Sequence, residues 1–217
     1  AVINVGALTA NVENAGTVTA GTGTLTFNGA VAGNGGTFSG DSLTFSGITS
    51  GTATVEAADV IYNGTDSQSV FGGTYGTLTL DGGLKTVTGK TEVTGVFTNN
   101  SGVQVDGSLT LNGLAGAGEY LVSQNGMLVF NGDGTVAGSV TNSGTVEVNA
   151  LVSFGGGLSN LATGTLNLNA TGLNVTADNA GVINVNAQNV TLSGSNSKTV
   201  NVADGGSLTL KMTDAAG

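Results

Sequence analysis

Gly76-Thr77-Leu78-Thr79-Leu80-Asp81-Gly82 is the stretch on which the fold turns. Apolar residues hold its third and fifth places and polar residues its second and fourth, the two-residue period of a strand with one buried face. That period and the surrounding glycine density exclude helix. The same pattern recurs outward as Gly23-Thr24-Leu25-Thr26-Phe27-Asn28-Gly29, Asp41-Ser42-Leu43-Thr44-Phe45-Ser46-Gly47, Gly107-Ser108-Leu109-Thr110-Leu111-Asn112-Gly113 and Gly126-Met127-Leu128-Val129-Phe130-Asn131-Gly132. Later copies end in alanine, as in Gly144-Thr145-Val146-Glu147-Val148-Asn149-Ala150. With the weaker copies the starts fall at Gly6, Gly23, Asp41, Ala58, Gly76, Gly89, Gly107, Gly126, Gly144, Gly164, Gly181 and Lys198, a mean step of about 17.5 residues. The one short step is Gly76 to Gly89.

A second apolar alternation follows within many repeats, as at Thr17-Val18-Thr19, Thr86-Val87-Thr88 and Leu173-Asn174-Val175, so each repeat holds at least two short strands. A strand of this length cannot bury its apolar face alone; repeats must stack to make a continuous core. The expected fold is therefore all-β, a single-stranded parallel β-helix (β-solenoid) of about twelve coils of roughly 17–18 residues, continuous over residues 1–217 as one domain. The sixth position of the pattern supports it, since it reads Asn11, Asn28, Asn63, Asn112, Asn131, Asn149, Asn169 and Asn186, interrupted by Ser46, Asp81, Thr94 and Ala203. Asparagine tolerates the backbone of a corner, and its amide can hydrogen-bond to an identical amide one rung away. We expect an asparagine ladder along a rod on the order of 55–60 Å long.

Composition narrows the chemistry. The 217 residues include 39 glycines, no proline, cysteine, tryptophan or histidine, and 14 acids against four lysines, for a net charge of −10. Without imidazole or thiolate there is no cofactor or transition-metal site to expect. Without a basic cluster the chain cannot neutralise a row of phosphates, so nucleic acid is not an expected partner. No apolar run is long enough for membrane insertion as a helix. The acids are dispersed and lack arginine or histidine beside them, so the chain reads as not an enzyme.

Copies such as Gly76-Thr77-Leu78-Thr79-Leu80-Asp81-Gly82-Gly83 resemble the repeats of bacterial secreted β-solenoids, the autotransporter passenger domains and filamentous-haemagglutinin-like adhesins. The resemblance implies a right-handed helix, an extracellular or cell-surface location, and roles in adhesion, biofilm or surface structure. It carries over no binding residue, because the matching positions are core aliphatics, turn glycines and ladder asparagines.

Local candidates are weak. Asn131-Gly132-Asp133-Gly134-Thr135 alternates oxygen ligands as a calcium loop does, but lacks the distant bidentate glutamate and reads as a turn. Thr24 with Thr26, Ser42 with Thr44, and Thr77 with Thr79 suggest a hydroxyl array of the kind that binds ice; taken along the repeat starts it is broken by Asp59, Ile61, Lys90, Glu92, Met127 and Glu147. Tyr75 and Tyr120 are the only tyrosines available for an aromatic sugar platform, Tyr62 falling on an inward position. Five glycosylation-type triplets, including Asn63-Gly64-Thr65 and Asn99-Asn100-Ser101, are explained by composition.

At the two ends no cap is legible. Val2-Ile3-Asn4-Val5 and Leu208-Thr209-Leu210 read as rung strands with open edges, which pair either with another copy head to tail or with neighbouring repeats of a longer chain. The expected function is a non-catalytic extracellular structural rod that self-assembles end to end into a surface fibre or coat. The alternative is an adhesin or glycan-binding stalk presenting a contact surface to a cell-surface glycan or protein receptor.

Overall fold

The computed structural model describes residues 2–3 and 6–214. Among these every regular element is a β-strand, and the strands pair in parallel. They stack as a β-solenoid of about eleven turns. One coil shows the plan. Ser108–Leu111 forms one side, Asn112-Gly113 turns into Leu114–Gly116, Ala117-Gly118 turns into Glu119–Val122, and Met127–Phe130 then lies over Ser108–Leu111. Each coil therefore has three sides. We call the side containing Leu114–Gly116 side A, that containing Ser108–Leu111 side B, and that containing Glu119–Val122 side C.

On side A, Leu25 pairs with Leu43, Leu43 with Val60 and Val60 with Leu78, steps of 18, 17 and 18 residues. The next partner of Leu78 is Phe97, and not a residue of the copy starting at Gly89. That copy, Lys90–Val93, pairs instead beside Gly73-Thr74-Tyr75 on side B, and every later copy follows it there. The short step between Gly76 and Gly89 is thus a move to the neighbouring side. The copies do not form one column, and counting them as coils gives one coil too many. All three sides carry the same alternation, so a seven-residue pattern can change sides without any change in its polarity.

Third and fifth positions point inward as the alternation requires. Leu25, Phe27, Leu43, Phe45, Leu78, Leu80, Leu109, Leu111, Leu166 and Leu168 are all fully buried. Aromatic rings fill the early coils. Phe27 stacks on Phe45 at 5.1 Å between centroids and Phe45 on Tyr62 at 4.8 Å, while Phe38 stacks on Phe71 and meets Phe27 and Phe45 edge-on. Offset stacks and edge-to-face pairs of this kind add about 0.5–1.5 kcal/mol each beyond burial. From Val103 onward the interior is mostly valine and leucine. Corners are glycine because coils touch there. A Cβ on Gly132 would run into the backbone carbonyl of Asn112 one coil below.

Two polar side chains inside the rod close the five-residue corner 63–67. Gln68 donates from Nε2 to the carbonyls of Phe45 (3.0 Å) and Gly47 (2.5 Å) and accepts from the Gly64 amide at 2.9 Å. Lys85, its rung partner, is buried and donates from Nζ to the carbonyls of Gly64 (3.0 Å) and Gly83 (2.7 Å). Desolvation pushes the Lys85 amine below its ordinary range, with the Asp81 charge opposing.

Thr91 Oγ1 is buried with no hydrogen-bond partner. It occupies the inward column between Gly73 and Leu109. Replacing it with the near-isosteric valine removes an uncompensated hydroxyl, so Thr91→Val is expected to stabilise the rod by about 1 kcal/mol. A thermal or urea melt that is unchanged or shifted downward would show that the hydroxyl has a partner.

Candidate functional site

The features that can act on other molecules are the amide ladders, the three outward surfaces and the last described rung. The expected asparagine ladder forms over four rungs: Asn149 Nδ2 donates to Asn131 Oδ1 (2.8 Å), Asn169 to Asn149 (2.7 Å) and Asn186 to Asn169 (2.8 Å). It does not extend to the earlier members. Asn112 donates to the Val93 carbonyl, and Asn11 accepts from the Ala30 amide. Asn28 and Asn63 stand at the ends of side A strands, whereas Asn112 to Asn186 stand at the ends of side B strands. The change of side at Gly89 divides the column.

Two further ladders accompany it. Asn184 donates to Asn167 (2.8 Å) and Asn201 to Asn184 (2.9 Å) on the outer surface of side B. Inside the corner from side C to side B, Asn142 donates to Asn160 (2.8 Å), Asn160 to Asn179 (2.7 Å) and Asn179 to Asn196 (2.7 Å). Asn142, Asn160 and Asn179 are buried, and Asn142 and Asn179 also accept from the amides of Gly144 and Gly181 two residues on. The signal was present in the sequence as Asn142-Ser143-Gly144 and Asn179-Ala180-Gly181, in step with valines Val105 and Val122 of earlier coils. Each buried amide takes its corner glycine and its neighbours as partners, which accounts for a polar column inside a core.

The outward columns differ in charge. On side A the column runs Ala7, Thr26, Thr44, Ile61, Thr79, Thr98 and Ala115, and resumes with Thr135 and Ser153. It contains no ionisable residue. On side B the column includes Glu56, Glu92 and Glu147, and on side C Glu13 and Asp178. Lys90, Glu92, Met127 and Glu147, which interrupt the hydroxyl array when the repeats are taken as one column, belong to side B. Asp59 sits at the margin of side A, where it accepts from the Thr77 hydroxyl.

The tyrosines are not surface groups. Tyr75 and Tyr120 are buried, as is every phenylalanine among the described residues. Tyr75 donates to the Phe71 carbonyl at 2.5 Å, and the Tyr62 hydroxyl accepts from the Phe71 amide at 3.2 Å. Burial drives all three phenols well above their ordinary range. An aromatic sugar platform built on Tyr75 or Tyr120 is therefore excluded: Tyr120 falls on an inward position of side C, and Tyr75 on one of side B. Asp133, from the calcium-like loop, accepts from the Leu151 amide at 2.7 Å and so braces the corner of the next coil. Asn99, of the glycosylation-type triplets, is fully buried.

A shallow neutral groove of about 350 Å³ opens on side A between Leu151, Val152 and Ser153 of one coil and Gly172, Leu173 and Asn174 of the next. The corner Asn169-Ala170-Thr171-Gly172 is one residue longer than Asn149-Ala150-Leu151 below it, and the side A pairing of Gly134–Val136 with Val152–Phe154 forms a separate two-stranded sheet.

At the last described rung the inward columns continue into solvent. Val202 and Leu210 are 47% and 58% exposed, whereas Val185 and Leu192, their partners one rung earlier, are fully buried. Leu208 packs partly on the core and Thr209 lies outward in the side A column. Val2 and Ile3 pair with Thr19 and Ala20 on side B, while Asn4 and Val5 lie outside the described residues. Comparison with known proteins finds no matching family model, no matching curated protein and no matching solved structure.

Proposed function

We propose that this chain is a non-catalytic structural protein of the cell exterior, a β-solenoid rod extended end to end into a surface fibre or coat. The observation that carries the reading is the parallel rung-on-rung pairing, in which each coil repeats the register of the one below and adds length to a continuous apolar interior. Within the rod the asparagine amides and several outward hydroxyls bond to the coil above or below, as in Thr19 with Ser39, Thr176 with Ser193 and Ser195 with Asp178. Such bonds build length and stiffness.

Electron microscopy of the purified chain across a concentration series tests it. Filaments of uniform width that lengthen with concentration are the expected result. Separate short rods at every concentration would count against self-assembly and favour a stalk. For that second reading the side A groove, with Ser153 and Asn174 beside Leu151 and Leu173, is the supporting feature, since it offers a neutral amphipathic surface to a glycan.

A further inference from the structure

We infer that Gly134–Val136 and Val152–Phe154 form a panel of side A that swings outward as one unit and bares the core behind it, while sides B and C stay paired. The inference concerns the rod itself and holds whether the rod serves as a fibre or as a stalk.

Strand pairing isolates the panel. Its two strands pair with each other, from Gly134 with Val152 to Val136 with Phe154, and form a two-stranded sheet of their own. Among the described residues no rung pairing joins Gly134–Val136 to Leu114–Gly116 below, and none joins Val152–Phe154 to Asn174–Asn179 above. The other two sides are continuous across both seams. Side B runs Leu109, Leu128, Val146 and Leu166, and side C runs Tyr120, Val140, Leu158 and Ala177, each in register with the next. The corners that enter side A account for the seams. They lengthen from Asn112-Gly113 to residues 131–133, and again from residues 149–151 to residues 169–172, whereas between the two panel strands they are equal.

Burial agrees with the pairing. The outward residues of the panel, Thr135 and Ser153, are exposed, while Thr26, Thr44, Thr79 and Thr98 on the paired rungs of the same side are half-buried or buried. At the upper seam lies the groove between Leu151 and Leu173. Inward, Val136, Val152 and Phe154 hold the panel, with Phe154 meeting Phe130 edge-on at 5.7 Å. Phe154 is 8% exposed, more than any other core aromatic among the described residues. Gly155-Gly156-Gly157 follows the upper strand and supplies backbone freedom at its exit corner.

These observations set the cost of opening. A panel that swings out keeps its own rung pairing and gives up none to a neighbouring coil, so the cost is the exposure of three side chains. The same motion on side B or side C would also break rungs on both edges of the strand. While the panel is out, two sides hold the rod at this level, which makes it the compliant segment of the stack.

Native-state thiol labelling is the test, since the chain has no cysteine. Val136→Cys and Val152→Cys place a thiol behind the panel, and Val146→Cys and Val140→Cys place one at similar depth on sides B and C. With dithiobisnitrobenzoate as the probe, the two panel thiols are expected to react at one common rate, about tenfold or more faster than the two controls and with little dependence on urea. The controls are expected to react only through global unfolding, with a steep dependence on urea. Equal rates and equal urea dependence at all four positions would make the opening global and overturn the inference. Fast reaction of Val152→Cys beside slow reaction of Val136→Cys would reduce it to the fraying of one strand and overturn the panel as a unit. Hydrogen exchange of the unaltered chain needs no variant: peptides covering residues 134–136 and 152–154 are expected to lose protection sooner than those covering 140–142 and 145–148. Equal protection there would overturn the inference as well.

Discussion

Leu109→Asp is expected to break the rod at its middle. Leu109 is fully buried between Thr91 below and Leu128 above, in the inward column of side B. A carboxylate there replaces the three outer apolar carbons of the leucine and must either ionise in an apolar interior or hold a proton at a cost. The penalty is on the order of 4–5 kcal/mol or more. In a stack where each coil touches only its neighbours, that loss falls on adjacent coils and divides one long core into two shorter ones. Far-UV circular dichroism should show a melt moved down by many degrees or split into two steps, and limited proteolysis should cut near the substituted coil. Leu109→Ala, which leaves a cavity without a charge, is expected to cost about 2–5 kcal/mol. A melting curve for Leu109→Asp that overlies the parent's would remove that position from the core.

Asn160→Asp carries the second large effect, although its shape is almost unchanged. Asn160 Nδ2 reaches the carbonyls of Gly164 (3.3 Å) and Val182 (3.0 Å) and Asn179 Oδ1 (2.7 Å), while its Oδ1 accepts from Asn142. An ionised aspartate keeps the acceptor and loses every donor, leaving oxygen against oxygen in a buried corner. The expected loss is about 3–5 kcal/mol at neutral pH. Burial raises the folded-state pKa of the introduced carboxyl above its unfolded value, so the penalty is full above that folded pKa and shrinks as pH falls through it. The exposed ladder gives the comparison: Asn149→Asp removes the bond to Asn131, with solvent to replace it, and is expected to cost under about 1 kcal/mol. Equal losses at the two positions would mean that the buried ladder does no more than the exposed one.

What the sequence disclosed and what it concealed follow from the same cause. The period of two places Leu25, Phe27, Leu109 and Leu111 inside, and the constant step requires stacking; both are local signals that survive without knowing which side a strand lies on. Side membership is different. Leu78 and Thr91 belong to copies of one motif, yet Leu78 pairs on side A and Thr91 on side B, because alternating strands with glycine ends fit either side equally well. The asparagine column held from Asn131 to Asn186 on side B; on side A, Ser46 and Asp81 separate its members and Asn11 meets the Ala30 amide, while Asn112 turns to the Val93 carbonyl. Tyr75 and Tyr120 looked accessible only because their strands lay outside the motif copies. The buried ladder was hidden by a different ambiguity: asparagine shortly before glycine is the usual mark of an exposed turn, and only the coil-length spacing of Asn142, Asn160, Asn179 and Asn196, steps of 18, 19 and 17 residues, points inward.

The placement of the aromatic side chains also decides what light can see. The chain has no tryptophan, and its three tyrosines, all buried, lie in the coils between residues 62 and 120. Intrinsic emission therefore reports on the middle coils of the rod and is blind to the first coils and to the valine and asparagine coils beyond Tyr120. Backbone dichroism, by contrast, averages over all coils. Agreement between the two signals in one titration is a statement that the stack comes apart as a single cooperative unit, and a gap between them measures how far the middle coils and the rest outlast one another.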